Sequence, residues 1–194
     1  MAKVTGPLMS MDARGALGKA IVFMGWRGVK DVRMYHKPSN PKTEDQLAWR
    51  ALFSDAVNFY QALDPADQQA WRRSASGKAL SGYNLMIKYV LAVLKATEDW
   101  LYINEVTIAT PGATACVLSG DTGASSLITC LYGTSPGYYP YSLEESAGRS
   151  TPGAFTITLT GLTKSTNYYF YMETEDTGVG SGRSGEFTFK TAAS

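Results

Sequence analysis

The sequence predicts an α+β N-terminal domain, a β-hairpin plus three helices, followed by an all-β sandwich. Three observations predict it. Charged residues and helix formers dominate up to residue 100, after which Thr, Ser, Gly and Tyr take over and lysine becomes rare. Apolar residues recur at helical 3/4 spacing in segments of the first part. The second part holds seven short stretches rich in β-branched and aromatic residues, most of them separated by Gly, Pro, Ser or Asp. The boundary is expected near Thr97-Glu98-Asp99-Trp100, giving domains of residues 1–100 and 101–194 with a short join.

Bulk properties fit two small folded domains. Of the 194 residues, 44% are hydrophobic and 12% aromatic, enough for real cores and too much for a disordered chain. No apolar run approaches the roughly 18 residues of a membrane helix. The start, Met1-Ala2-Lys3-Val4-Thr5-Gly6-Pro7, lacks a signal-peptide apolar segment, so synthesis and folding in a cytoplasm are expected. Residues 1–100 carry 14 Lys/Arg against 9 Asp/Glu, and residues 101–194 carry 4 against 8. This asymmetry suggests two domains facing different neighbours, and the basic excess is too mild to mark nucleic-acid binding by itself.

The first 18 residues hold Gly6, Gly15 and Gly18 with little periodicity and read as an extended arm. Ala20 to Met24 and Val29 to Tyr35 read as strands around a Gly25-Trp26-Arg27-Gly28 turn. A lone hairpin is marginal in water and must pack on something. After Pro38-Ser39-Asn40-Pro41, the pair Thr43 and Gln46 forms a capping box that opens a helix. Its apolar face is Leu47, Ala51, Leu52, Ala56, Phe59 and Leu63, widened by Trp49, Phe53, Val57 and Tyr60. Asp64-Pro65 supplies an N-cap and a first-turn proline for a second helix through Trp71. Ser81 caps a third, with Leu85, Met86, Tyr89, Val90, Val93 and Leu94 along one face. The strands of the second half are Val106–Ile108, Ala113–Leu118, Leu127–Tyr132, Tyr139–Leu143, Phe155–Leu159, Tyr168–Glu173 and Glu186–Lys190. Seven in about 90 residues is the count of an immunoglobulin-like sandwich.

Two resemblances sharpen this reading. Leu159-Thr160-Gly161-Leu162, Thr166-Asn167-Tyr168-Tyr169-Phe170 and Phe187-Thr188-Phe189-Lys190-Thr191, with Leu131 to Pro136, make residues 101–193 similar to a fibronectin type III domain. The resemblance implies that Tyr168 is the tyrosine corner, its hydroxyl bonded to nearby main chain. Where that family places a core tryptophan on the second strand, this chain has Cys116 and Val117. Residues 3–90 resemble a family of small proteins encoded among phage structural genes. The carrying motifs are Gly6-Pro7-Leu8-Met9-Ser10 with Asp12-Ala13, Trp26-Arg27-Gly28, Val32-Arg33, Pro38 to Thr43, Gln46, Arg50, Phe53, Trp71 and Gly82-Tyr83-Asn84. That resemblance implies a particle-associated protein and no named chemistry.

Candidate chemistry is sparse. Gly180-Ser181-Gly182-Arg183-Ser184-Gly185 fits a dinucleotide-loop pattern by letter, but strands on both sides make it a flexible hairpin loop. Glu144 and Glu145 are adjacent strand residues pointing to opposite faces and read as solvated charges. His36, the sole histidine, reads as a surface residue, and no Cys/His set has zinc spacing. Cys116 and Cys130 read as free, partly buried thiols rather than a disulfide. No catalytic residue, cofactor or metal is expected, and the chain is expected not to be an enzyme.

The candidate contact residues are Arg14, Trp26, Arg27, Arg33 and Tyr35 of the basic-aromatic hairpin, with Tyr138, Tyr139 and Tyr141 beyond it. The hairpin suits an acidic protein neighbour better than nucleic acid. The tyrosines read equally as strand core and edge or as a contact patch. The expected function is a structural protein of a bacteriophage virion, a capsid decoration protein or tail component. Residues 1–100 would anchor it and the sandwich would be displayed outward. The expected partners are other virion proteins or copies of itself, and a host surface is open to the sandwich; a membrane is not expected. The alternatives are a nucleic-acid-binding protein and a bacterial surface adhesin.

Overall fold

A computed structural model describes residues 15–26, 29–37, 39–96, 98–145 and 150–193. The packing divides the chain into two compact units, residues 1–43 and 44–194.

In the first unit β1 (Gly15–Leu17), β2 (Ile21–Trp26) and β3 (Val29–Met34) form an antiparallel sheet in the order β1-β2-β3. Gly18 makes the first turn with φ 59°, a left-handed conformation that glycine adopts without steric cost. The expected hairpin is therefore present and extended by one short strand taken from the arm.

The second unit contains the helices and the sandwich together. The division expected near residue 100 is not where the packing separates. Helices α1 (Glu44–Ala62), α2 (Pro65–Ser74) and α3 (Gly82–Lys95) surround a core of Ala56, Leu63, Trp71, Leu85, Met86, Ile87, Val90 and Trp100. Pro65 opens α2 as expected, although the Asp64 side chain makes no capping bond. Ser81 caps α3, its Oγ accepting from the Asn84 amide at 3.2 Å. Gly82 lies so close to α2 that a Cβ there would meet the Arg72 nitrogen at 2.6 Å.

The sandwich has one sheet of β5 (Ile103–Ile108), β6 (Ala115–Thr122) and β9 (Gly153–Thr160), in the order β5-β6-β9. The other contains β7 (Thr129–Gly133), β8 (Tyr141–Glu144), β10 (Asn167–Asp176) and β12 (Phe187–Lys190). There β10 pairs with both β7 and β12, and β8 lies beyond β7. All seven expected strands are present, in the three-plus-four arrangement of a fibronectin type III-like sandwich. Alternation buries Phe155, Ile157 and Leu159 on β9 against Phe170 and Met172 on β10. The expected tyrosine corner is present: the Thr163 amide donates to the Tyr168 hydroxyl at 2.9 Å. Cys116 is buried in place of a large ring, while Val117 points outward.

Two further strands explain why the helices join the sandwich. Gly180–Arg183 is not a loop but strand β11, antiparallel to β10, and Asp99–Trp100 is strand β4, parallel to β11. A Cβ on Gly180 would lie 1.8 Å from the Asp99 carbonyl oxygen, and one on Gly182 1.6 Å from that of Leu101. A Cβ on Gly185 would lie 2.4 Å from Ala70 C in α2. The glycine pattern thus permits close backbone approach, and the helices seat on the sandwich at the short join between the two halves.

Candidate protein-contact surfaces

The joint between helices and sandwich buries two carboxylates, Glu186 and Asp67. Glu186, 5% exposed, accepts from the Gly137 amide at 3.0 Å and from the Tyr139 hydroxyl. Its own amide donates to Ser74 Oγ at 2.7 Å and to the Ala70 carbonyl at 3.1 Å. Desolvation, and then the bond to Glu186, push the Tyr139 hydroxyl pKa well up. Arg183 stacks on Tyr171 at 3.8 Å and faces Tyr89 of α3 at 5.1 Å. These groups satisfy one another and fasten two elements together.

A second fastening is less well satisfied. Asp67, 3% exposed in the first turn of α2, accepts from the Glu105 amide through Oδ2 at 2.7 Å. Its Oδ1 is buried without a hydrogen-bond partner. Glu105 has φ 52° at an irregularity in the pairing of β5 with β6, and that conformation turns its amide out of the ladder. Desolvation raises the Asp67 pKa from 3.8 to about 6, against the pull of the Glu105 and Val106 amides.

The predicted contact residues separate. Arg14 and Arg27 lie outside the described residues, as does the side chain of Trp26. Arg33 and Tyr35 are exposed, and His36 is exposed beside them. The three tyrosines do not form one patch. Tyr139 turns inward to Glu186, whereas Tyr138 and Tyr141 are exposed, Tyr141 packing on Tyr132 at 5.4 Å. Glu145, expected in solvent, is buried, and its amide donates to the Ile128 carbonyl at 2.9 Å. Cys116 and Cys130 are free and fully buried; burial raises both thiol pKa values, that of Cys130 to about 12. Among the described residues no group of three or more His, Cys, Asp and Glu is placed to hold a metal ion. No described helix is long and apolar enough to cross a membrane.

One surface went unrecognised in the sequence. Trp49 and Phe53 continue the stripe that buries Ala56, yet each remains 48% exposed, with Lys95 over the Trp49 ring at 5.9 Å. Leu47, assigned to the buried face, is equally exposed. The stripe outruns its partner helix, which periodicity does not reveal.

No family model matches the chain, and no curated protein matches it. Among solved structures it is similar to the FN5 domain of Drosophila Lar, at 15% identity over 48% of this chain and 97% of that one, with a TM-score of 0.38. It is also similar to an FN3 domain of human collagen XX, at 16% identity over 47% and 94%, with a TM-score of 0.36. A third is the sensor domain of the anti-sigma factor RsgI4 in Pseudobacteroides cellulosolvens, at 23% identity over 48% and 94%, with a TM-score of 0.36.

Proposed function

We propose that this chain is a structural protein of a bacteriophage particle, a capsid decoration protein or tail component. Residues 1–43 attach it, and the helix-bearing sandwich is displayed outward. The observation that carries the reading is the sheet β1-β2-β3: no side chain described within residues 15–37 is buried. A small sheet with no fully buried side chain among its described residues is marginal alone and gains stability from a neighbour. The phage assignment draws on the ordered motifs between Gly6 and Asn84. Sandwiches of this class commonly serve as protein-contact modules, which suits a displayed position. The helices now belong with the displayed body, so the anchor shrinks from residues 1–100 to residues 1–43.

The test is composition. Particles purified through a density gradient should contain the chain in fixed ratio to other structural proteins by mass spectrometry. Removing residues 1–43 should leave it in the soluble fraction. Its absence from purified particles refutes the reading. Retarded DNA or RNA in a gel shift, abolished by the same deletion, would favour the nucleic-acid alternative, which the basic excess of residues 1–43 supports.

A further inference from the structure

We infer that the cavity between the helices and the sandwich is a binding site for a small neutral aromatic molecule carrying one N–H or O–H donor. Its walls come wholly from residues 44–194, so its occupancy is independent of the assembly reading.

The cavity holds about 240 Å³, and its walls include Leu63, Trp71, Met86, Trp100 and Ile103. Trp71, Met86 and Ile103 are 2%, 1% and 3% exposed, so this is interior space rather than a surface dent. Folded interiors pack as densely as organic crystals, and voids larger than a water molecule are few. A void left empty costs stability in proportion to its volume. Ordered water is a poor filling, because each molecule needs about two to four polar partners and these walls are largely apolar. An apolar cavity of about 150 Å³ is enough to take up benzene. This one has room for a fused two-ring molecule.

The chemistry of the walls selects the occupant. Phe59, Trp71, Trp100 and Tyr102 all line the cavity, and aromatic rings favour a flat guest that meets them edge or face. Apolar walls disfavour a charged guest, which would lose its hydration there. The polar groups at hand are few. The Tyr102 hydroxyl is bonded to Asp121, and the Arg183 guanidinium lies over the Tyr171 and Tyr89 rings. Asn104 is different, because its Oδ1 is buried with no hydrogen-bond partner. Among the described residues only Asp67 Oδ1 shares that state, and Asp67 does not line this cavity. The terminal amide of asparagine turns broadly about its last torsion, so Oδ1 can swing to meet a donor on the guest. A buried acceptor left without a donor is costly, and one N–H or O–H on the ring relieves it.

Equilibrium dialysis of the full-length chain against indole tests this. Indole should bind at about one molecule per chain with a dissociation constant on the order of 100 μM. Indene, which has the same shape without the N–H, should bind about tenfold more weakly. Asn104→Leu removes the acceptor and should erase that preference while leaving stability unchanged or raised, which a purely structural role for Asn104 does not predict. Ala62→Phe adds a ring at the wall and should abolish uptake. Circular dichroism checks that both variants fold, and if Ala62→Phe does not, Asn104→Leu alone decides. Indole that is not retained at about 1 mM, equal affinity for indene, or a preference that survives Asn104→Leu each overturns the site. Unchanged uptake by a folded Ala62→Phe does so too. Tighter binding of indole-3-carboxylate than of indole would point to Arg183 and overturn the neutral guest.

Discussion

Asp67 places a measurable pH dependence in the joint between α2 and β5. The perturbation is Asp67→Asn, which keeps an acceptor for the Glu105 amide and removes the ionisable group. In the folded chain burial raises this carboxyl from 3.8 to about 6, with the nearby Asp64 and Glu105 charges adding to the rise. A carboxyl with a raised folded pKa binds its proton more tightly in the native state than in the unfolded one. Its contribution is therefore greatest below about pH 4, declines as pH climbs through the interval to about 6, and is flat above. A shift of about two units corresponds to about 3 kcal/mol of stability lost across that interval, an upper value because water reaches a joint more readily than a core. Urea unfolding followed by tryptophan fluorescence reads it directly, since Trp71 and Trp100 are buried in the helix core. The quantity to plot is the difference in stability between wild type and Asp67→Asn from about pH 4 to about pH 7, which cancels the titrating groups distant from Asp67. Wild type should lose about 2–3 kcal/mol relative to the variant over that range. A constant difference, or a wild type that gains stability with pH, would show that Asp67 is solvated or fully paired.

Gly182→Ala should cost about 3 kcal/mol or more, because its Cβ would meet the Leu101 carbonyl oxygen at 1.6 Å and force β4 away from β11; an unchanged urea midpoint would contradict that approach. Tyr168→Phe should cost roughly 0.5–1.5 kcal/mol by leaving the Thr163 amide without its acceptor, measured in the same assay. Limited proteolysis should cut before Glu44 and leave residues 44–194 intact, and a stable fragment beginning near residue 100 would restore the two-domain division. Cys116 and Cys130 should resist a thiol reagent in the native protein and both react once it is unfolded without reductant; a mass lower by two hydrogens would reveal a disulfide instead.

Local chemistry carried the parts of this structure that the sequence determined by itself. Short β-branched and aromatic stretches between Gly, Pro, Ser or Asp identified all seven sandwich strands, because turn residues and strand formers act within a few positions. The tyrosine corner was legible because Tyr168 sits a fixed few residues from the amide it binds. Ser81 announced α3 because capping is settled within one turn. Turn chemistry likewise separated β2 from β3 around residues 25–28.

Tertiary structure decided what depends on approach between distant segments. Gly180 to Gly185 had the composition of a loop, and pairing with β10 and the arrival of Asp99 and Leu101 from the end of the helical region make its first part a strand with no room for a side chain at Gly180 or Gly182. The same approach moved the division of the chain from residue 100 to residue 43. Tyr138, Tyr139 and Tyr141 are near neighbours in sequence, yet Glu186, 47 residues beyond Tyr139, draws that ring alone inward. Along α1 the stripe from Trp49 to Ala56 is continuous, but packing reaches only its C-terminal part. Periodicity specifies which face of a helix is apolar; the length and position of the partner specify how much of that face is covered.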